Sequence, residues 1–259
     1  MLTISIITIC FNNLADLQKT CVSVDSQTRL PNEHWIINGS SQPDIEQWLL
    51  HTPQPAYRKW INEKDKGIYD AFNKGISHAG AEVTHILNSG DIYASDDVVA
   101  AAMQLFEADE RVQWISGNIQ MTRAGKIVVV GKPFDPAKLY RGMRSVSHPT
   151  WFVKRAVYER VGLFKDYKIA MDYDLMCRLH NEPYAYLDKI ISVFDDSGVS
   201  SNNYLNSLKE NRVVYESYFG FSFWLVIWQL RLKGLHYLLQ TRFGKWLFDL
   251  KKKAGLENM

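Results

Sequence analysis

Four short strand-like runs, three of them apolar and each ending in a polar cluster, constrain this fold most, because a segment with helical spacing follows each one. Thr3 to Cys10 is β-branched and stops at Phe11-Asn12-Asn13. Glu33 to Asn38 stops at Gly39-Ser40-Ser41, Tyr57 to Asn62 at Glu63-Lys64-Asp65, and Val83 to Leu87 at Asn88-Ser89-Gly90-Asp91. Thr3 to Cys10 reads as a strand buried on both faces, as in a parallel sheet, and the other three as further strands. Leu14 to Ser26 carries Leu14, Leu17, Cys21 and Val24 at helical spacing. Ile45 to Leu50 and Ile68 to Ala79 are further helices, the second with Gly80 as a C-cap. Asp96 to Ala108 is another, with Ser95 available to cap it. Val112 to Gly117 and Lys126 to Val130 read as later strands. The alternation predicts an α/β fold: a Rossmann-like, mostly parallel sheet with helices on both faces. Ligands of such sheets bind beyond the carboxyl ends of the strands, which is where the four polar clusters fall.

The 259 residues suffice for one large domain and an appendage. A formal net charge of only +2 argues against a nucleic-acid binder. Cys10, Cys21 and Cys177 form no CxxC pair, which argues against a zinc cluster or disulfide scaffold and fits a reducing, cytoplasmic setting. The first ten residues lack the basic segment and cleavage site of a signal peptide. No apolar run reaches the roughly 18 residues a membrane-crossing helix needs. From about residue 205 the strand pattern ends, giving a domain over residues 1–205 and a helical extension over 206–259. That extension interleaves Phe219, Phe221, Phe223, Trp224, Trp228, Tyr237, Trp246 and Phe248 with Arg231, Lys233, Arg242, Lys245 and Lys251 to Lys253. Aromatic and basic residues in this mixture suit a helix lying peripherally on the inner face of an anionic cell membrane. A helix pair packed on the domain or on a second subunit is the alternative.

Five segments carry a resemblance. They are Ile6 to Asn13, Glu33 to Ser41, Glu63 to Gly75 and Leu87 to Asp91, then Ser147-His148-Pro149 through Gly162-Leu163-Phe164 to Ala170-Met171-Asp172-Tyr173-Asp174 and Arg178. In this order and spacing the chain resembles the family 2 glycosyltransferases of the GT-A fold, in particular their bacterial surface-polysaccharide branch. The resemblance covers roughly residues 2 to 200.

It implies a site. Asp91 matches the last carboxylate of the family's metal motif, which would hold Mg²⁺ or Mn²⁺ against the donor diphosphate. The chain departs from the motif at Asn88 and Gly90, where carboxylates are frequent. Asp172 matches the base that takes the acceptor hydroxyl proton. Met171 stands where a Glu is usual, and Asp174 is the reserve. Asn38 stands where relatives carry a nucleoside-binding Asp, keeping the acceptor oxygen without the charge. Thr8, Phe11, Asn12, Asp65, Ser89 and Gly90 complete the expected donor site, with Glu63 either beside them or in a solvated loop. Asp70, Asn73 and Lys74 share one helical face, from which Lys74 could neutralise a phosphate. His148 is a metal or phosphate candidate set against a structural role. Arg178 either binds phosphate or pairs with an acidic neighbour.

The expected activity is inverting, hexosyltransferase-like transfer from a nucleotide-sugar, most simply a UDP-sugar. The acceptor is a hydroxyl of a glycan or a polyprenyl-diphosphate-linked saccharide. A sugar-phosphate nucleotidyltransferase is the alternative enzyme, although Cys10 to Asn13 offers no Gly-rich, basic phosphate loop. A non-catalytic nucleotide-sugar-binding module is the third reading, motivated by Asn38, Gly90 and Met171.

Overall fold

The computed structural model describes residues 1–123, 125–143, 146–195, 204–244 and 246. The stretch Lys251 to Lys253 and Phe248 of the basic, aromatic tail lie outside the described residues, as does Lys245. The four expected strands form as β1 (Ile4–Cys10), β2 (Glu33–Asn38), β3 (Arg58–Asn62) and β4 (Val83–Ile86). They pair in parallel in the order β3-β2-β1-β4. Between and after them run α1 (Leu14–Asp25), α2 (Asp44–His51), α3 (Ile68–His78), the short strand β5 (Ile92–Tyr93) and α4 (Val98–Ala108).

The sheet continues through β6 (Trp114–Arg123), β7 (Lys126–Val130), β8 (Phe152–Lys154) and β9 (Tyr184–Asp195). β8 is antiparallel to both β4 and β6, while β9 is parallel to β6. β7 and β5 are antiparallel to β6 and β9 respectively. Six of the nine strands among the described residues, β1 to β4, β6 and β9, therefore run the same way. β6 is longer than Val112 to Gly117 suggested. β9 carries Asp188 and Lys189 in its middle, and the β6–β9 register shifts at Gly117 to Ile119, so no clean alternation marks it.

Each face of the sheet has its own helices. Ile7 and Ile37 pack against Ala71, Phe72 and Ile76 of α3. On the other face Ile36 and Cys10 meet Leu17 and Cys21 of α1 and Ile45 and Leu49 of α2. Ile4, Ile6 and Val83 meet Val98 to Phe106 of α4. A methyl group at Gly75 would collide with Cγ2 of Ile7, so α3 sits close to β1 only because residue 75 has no side chain. The α4 terminus is not capped by Ser95. The N–H of Val99, in its first turn, instead donates to Oε1 of Gln27 at 3.0 Å.

Two further helices complete the domain side: α5 (Arg155–Val161) and α6 (Met171–Arg178). Beyond residue 203 come α7 (Tyr204–Phe219) and α8 (Phe223–Gln240). α7 is no loose appendage, because Val214 is fully buried in the same core as Ile7 and Phe72, and Tyr215, Tyr218 and Phe219 pack against it. α8 is held by Leu225 and Gln229, whose Nε2 donates to the carbonyl of Leu208 at 2.6 Å. Its first turns present an open apolar surface: Phe223, Trp224, Ile227 and Leu230 are exposed at helical spacing.

Candidate active site

The carboxyl ends of β1, β2 and β4 open into one cleft of about 1120 Å³. Its walls come from the loops after these strands (Phe11, Asn13, Gly39 to Ser41, Asn88 and Ser89), from Lys64, Asp65 and the start of α3, and from His148, Lys168, Ile169, Met171 and Asp172. Of the expected site residues, the cleft brings together Phe11, Asp65, Ser89, His148 and Asp172. Lys64, Lys168 and Ile169 also line it. Lys64 lies in a polar cluster that was visible in the sequence, whereas nothing local marks Lys168 or Ile169.

Asp172 lies in the first turn of α6, where a carboxylate interacts favourably with the helix dipole. Its Oδ1 is shielded from solvent and has no hydrogen-bond partner. Burial pushes the carboxyl up to about 7. A carboxylate poised there can take a proton near neutral pH. Asp174, the reserve, is spent elsewhere. It is fully buried, accepts from Arg178 at 2.6 and 2.9 Å, and accepts the Tyr218 hydroxyl at 2.7 Å. Arg178 also donates to the carbonyls of Val161, Gly162 and Leu163, so it ties α6 to the end of α5 and is no phosphate ligand.

Asp65 reaches the cleft because Gly39 leaves room: a Cβ at residue 39 would collide with Asp65 Oδ2. Lys74 donates to Asp65 Oδ1 and to the carbonyl of Lys64, both at 2.9 Å, and stands 3.4 Å from Glu63 and Asp70. Lys74 is therefore enclosed by three carboxylates and is not available to a phosphate. Asp70 accepts the backbone N–H of Lys66 and fastens that loop. Asn73 makes a two-way pair with the backbone of Phe164, at 2.8 and 2.9 Å. The helical face shared by Asp70, Asn73 and Lys74 thus braces loops and does not line the cleft.

The structure also places Thr8, Asn12 and Asn38 off the cleft. Thr8 is buried beneath α1, 3.0 Å from Nε2 of His34, whose Nδ1 accepts from Arg58. Asn38 donates to Asn62 and accepts the N–H of Ser40, so its amide braces β3 and the loop after β2. Asn12, at a left-handed φ of 53°, accepts from Ser41 and Gln42 and pins the loop after β1 to the loop after β2. Asn tolerates that backbone better than most residues.

Gly90 and Asp91 sit behind Asn88 and Ser89, under Thr20 of α1. Thr20 Oγ1 accepts from Gly90 N and donates to the Asp91 carbonyl. Burial pushes the Asp91 carboxyl up to about 7, against hydrogen bonds from Asn88. Asn88 Oδ1, Ser89 Oγ and Asp91 Oδ2 are all shielded and unpartnered. These are hard oxygens in one short turn, and they suit Mg²⁺ or Mn²⁺ rather than a soft metal. No group of three His, Cys, Asp or Glu side chains converges among the described residues. A cation here would therefore depend on the donor diphosphate for most of its ligands. His148 is buried against Phe72, Trp151 and Phe164, and burial lowers it to about 3, leaving a neutral ring that offers no charge to a phosphate. Burial likewise pushes the Cys10 thiol up to about 12, so no thiolate nucleophile is available in the cleft.

Comparison with known proteins gives this cleft its relatives. Residues 5–162 match the family described as Glycosyl transferase family 2. An uncharacterized glycosyltransferase of Mycobacterium tuberculosis is 34% identical over 205 residues, covering 77% of this chain and 78% of the relative. A PGL/p-HBAD biosynthesis glycosyltransferase of Mycobacterium bovis is 23% identical, covering 73% and 76%. Among solved structures, the mannosyltransferase PcManGT of Pyrobaculum calidifontis, in complex with GDP-Man and Mn²⁺, superposes with a TM-score of 0.61 at 13% identity. That match covers 99% of this chain and 81% of the neighbour. S. aureus TarS 1-349 in complex with UDP-GlcNAc has the same TM-score and identity over 84% of this chain and 68% of its own. These likenesses show a shared fold, the GT-A glycosyltransferase fold.

Proposed function

Since the chain belongs to glycosyl transferase family 2, we propose that it is an inverting transferase moving a hexosyl group from a nucleotide-sugar to an acceptor hydroxyl. The observation that carries this reading is Asp172, a carboxylate with one shielded, unpartnered oxygen in the cleft that also holds Phe11 and Asp65. Phe11, largely exposed at the rim, offers a stacking face for the base. Asp65 and the Gly39–Ser41 backbone offer polar contacts to base and ribose. UDP-sugar is the donor we favour, since TarS was solved with UDP-GlcNAc.

Asp172 takes the acceptor hydroxyl proton as the hydroxyl oxygen forms its bond to the anomeric carbon. The bond from that carbon to the diphosphate oxygen breaks on the opposite side, so the configuration inverts and nucleoside diphosphate leaves. Asn88, Ser89 and Asp91 would hold Mg²⁺ or Mn²⁺, with the neutral His148 available as a nitrogen ligand. The cation would supply Lewis-acid stabilisation of the leaving diphosphate. Among the described residues, Lys64 and Lys168 are the cationic side chains in the lining and add charge for the same group.

A polyprenyl-diphosphate-linked saccharide, as used in bacterial surface polysaccharide synthesis, is the acceptor class we favour. α8 motivates that choice. No helix among the described residues is long and apolar enough to cross a membrane. Yet Phe223, Trp224, Ile227 and Leu230 are exposed on α8, and no carboxylate occurs between Glu216 and Asp249 while Arg231, Lys233 and Arg242 do. Such a face matches an anionic bilayer interface.

One assay tests the reading. The protein is incubated with Mn²⁺ and a panel of nucleotide-sugars, with and without lipid-diphosphate acceptors, and nucleoside diphosphate is measured. Acceptor-dependent diphosphate release is expected. Nucleotide binding with no release under any combination would overturn the proposal.

A further inference from the structure

Oε2 of Glu210, on α7, accepts two backbone N–H groups at once: Ile169 at 2.9 Å and Ala170 at 3.0 Å. Ala170 is the N-cap residue of α6 and offers no side-chain oxygen to cap it. Ile169 lines the cleft, and Asp172 is two residues beyond Ala170. The first turn of α6, which holds the proton-accepting group, is therefore anchored by a carboxylate 40 residues away in the chain. A carboxylate at this end of a helix satisfies donors the helix leaves free and faces the positive end of its dipole. The same α7 also grips the far side of that turn, where Tyr218 donates to Asp174 at 2.7 Å.

We propose that Glu210 is a positioning residue for sugar transfer, fixing the approach of Asp172 to the acceptor hydroxyl through the backbone of Ile169 and Ala170. This rests on Asp172 as the base. α7 is then part of the catalytic machinery, and residue 205 is not a boundary at which an active domain ends. The donor-side residues Phe11, Gly39 and Asp65 come from other loops, so loss of Glu210 leaves nucleotide binding largely intact.

The test uses the full chain carrying Glu210→Ala, Glu210→Gln or Glu210→Asp, with wild type and Asp172→Asn alongside. Transfer rate, nucleotide affinity and thermal melting are measured for each. Because a misplacement of about 1 Å costs on the order of 100-fold in rate, Glu210→Ala is expected to lose roughly 10- to 100-fold in kcat while nucleotide Kd moves less than about threefold. Glu210→Gln keeps an acceptor oxygen and is expected to recover most of the rate. If the Ala variant does not fold, Glu210→Asp carries the test: one methylene short, it is expected to lose rate with nucleotide affinity kept. Wild-type kcat in a folded Ala or Asp variant overturns the proposal. So does a fall in nucleotide affinity matching the fall in rate, or a Gln variant no better than Ala. An Asp172→Asn variant that transfers at the wild-type rate instead overturns the base assignment, so the two failures are distinct.

Discussion

Lys74 donates to Oδ1 of Asp65 at 2.9 Å, while Oδ2 of the same carboxylate occupies the space a side chain at Gly39 would need. The lysine holds the carboxylate from one side and the glycine admits it from the other. Gly39→Ala is therefore expected to push Asp65 out of the nucleotide side of the cleft. Donor affinity should fall on the order of tenfold, or about 1.4 kcal/mol, with a smaller change in kcat. Titration of the purified variant with nucleoside diphosphate checks this, and unchanged affinity removes Asp65 from the donor site.

Asp172 makes two predictions about pH. As a base it must be ionised, and its carboxyl stands at about 7, so kcat should rise with pH to a plateau above that value. Asp172→Asn should keep nucleotide binding and lose roughly 100- to 10,000-fold in transfer. The carboxyl stands above its ordinary 3.8, so between these values the folded state holds more proton than the unfolded one. Its burial therefore lowers stability as pH rises from about 4 to about 7. The melting temperature of Asp172→Asn relative to wild type should accordingly increase between pH 5 and pH 8, read by calorimetry at ~0.5-unit steps.

The shielded oxygens of Asn88, Ser89 and Asp91 supply only one carboxylate. Affinity for the cation should therefore be weak without the diphosphate. Turnover should stop in excess chelator and return with Mg²⁺ or Mn²⁺. Asp91→Ala should raise the metal concentration needed for half-maximal rate more than it raises the donor KM. Full activity in chelator would show that the lysines of the cleft suffice.

Arg178 is the main cationic partner of the fully buried Asp174, with the Tyr218 hydroxyl on the other oxygen and Lys165 at 3.7 Å. Arg178→Met leaves that carboxylate without its guanidinium. Breaking such a buried pair from one side costs about 3–5 kcal/mol, which urea denaturation at pH 7 would read directly. The same substitution frees three carbonyls at the end of α5.

Much of this architecture was legible because local signals and global fold agree. β1, β2 and β4 announced themselves through apolar runs stopped by polar clusters, β3 by its place in the alternation, and the clusters after all four border the cleft. Thr8 carried its own warning in the period-two alternation, since it shares a face with Ile4 and Ile6, which pack under α4. The spacing of Asp70, Asn73 and Lys74 revealed a shared face but not its use, because their partners Asp65 and Phe164 belong to other loops. The group that anchors the start of α6 is hidden for a related reason: it is Glu210, far along the chain. β9 was hidden by a register shift and by the charged pair Asp188 and Lys189 in its middle.

The exposed face of α8 separates two fates for the lipid-linked reading. Trp224 and Leu230 are more than half exposed and fall on the same side as Phe223 and Ile227, so replacing both by Glu removes apolar contact and adds two negative charges. Leu225 and Gln229, which hold α8 to the rest of the protein, are untouched by that change. Wild type should float with vesicles containing phosphatidylglycerol and less with neutral ones, and the bound fraction should fall as salt rises because the Debye length shrinks. The double variant should stay with the soluble fraction while keeping wild-type turnover on a short, water-soluble acceptor. Binding of the double variant equal to wild type would place the membrane contact elsewhere. Loss of turnover on the soluble acceptor would instead mean that α8 supports the cleft directly, through α7 and the α6 turn it anchors.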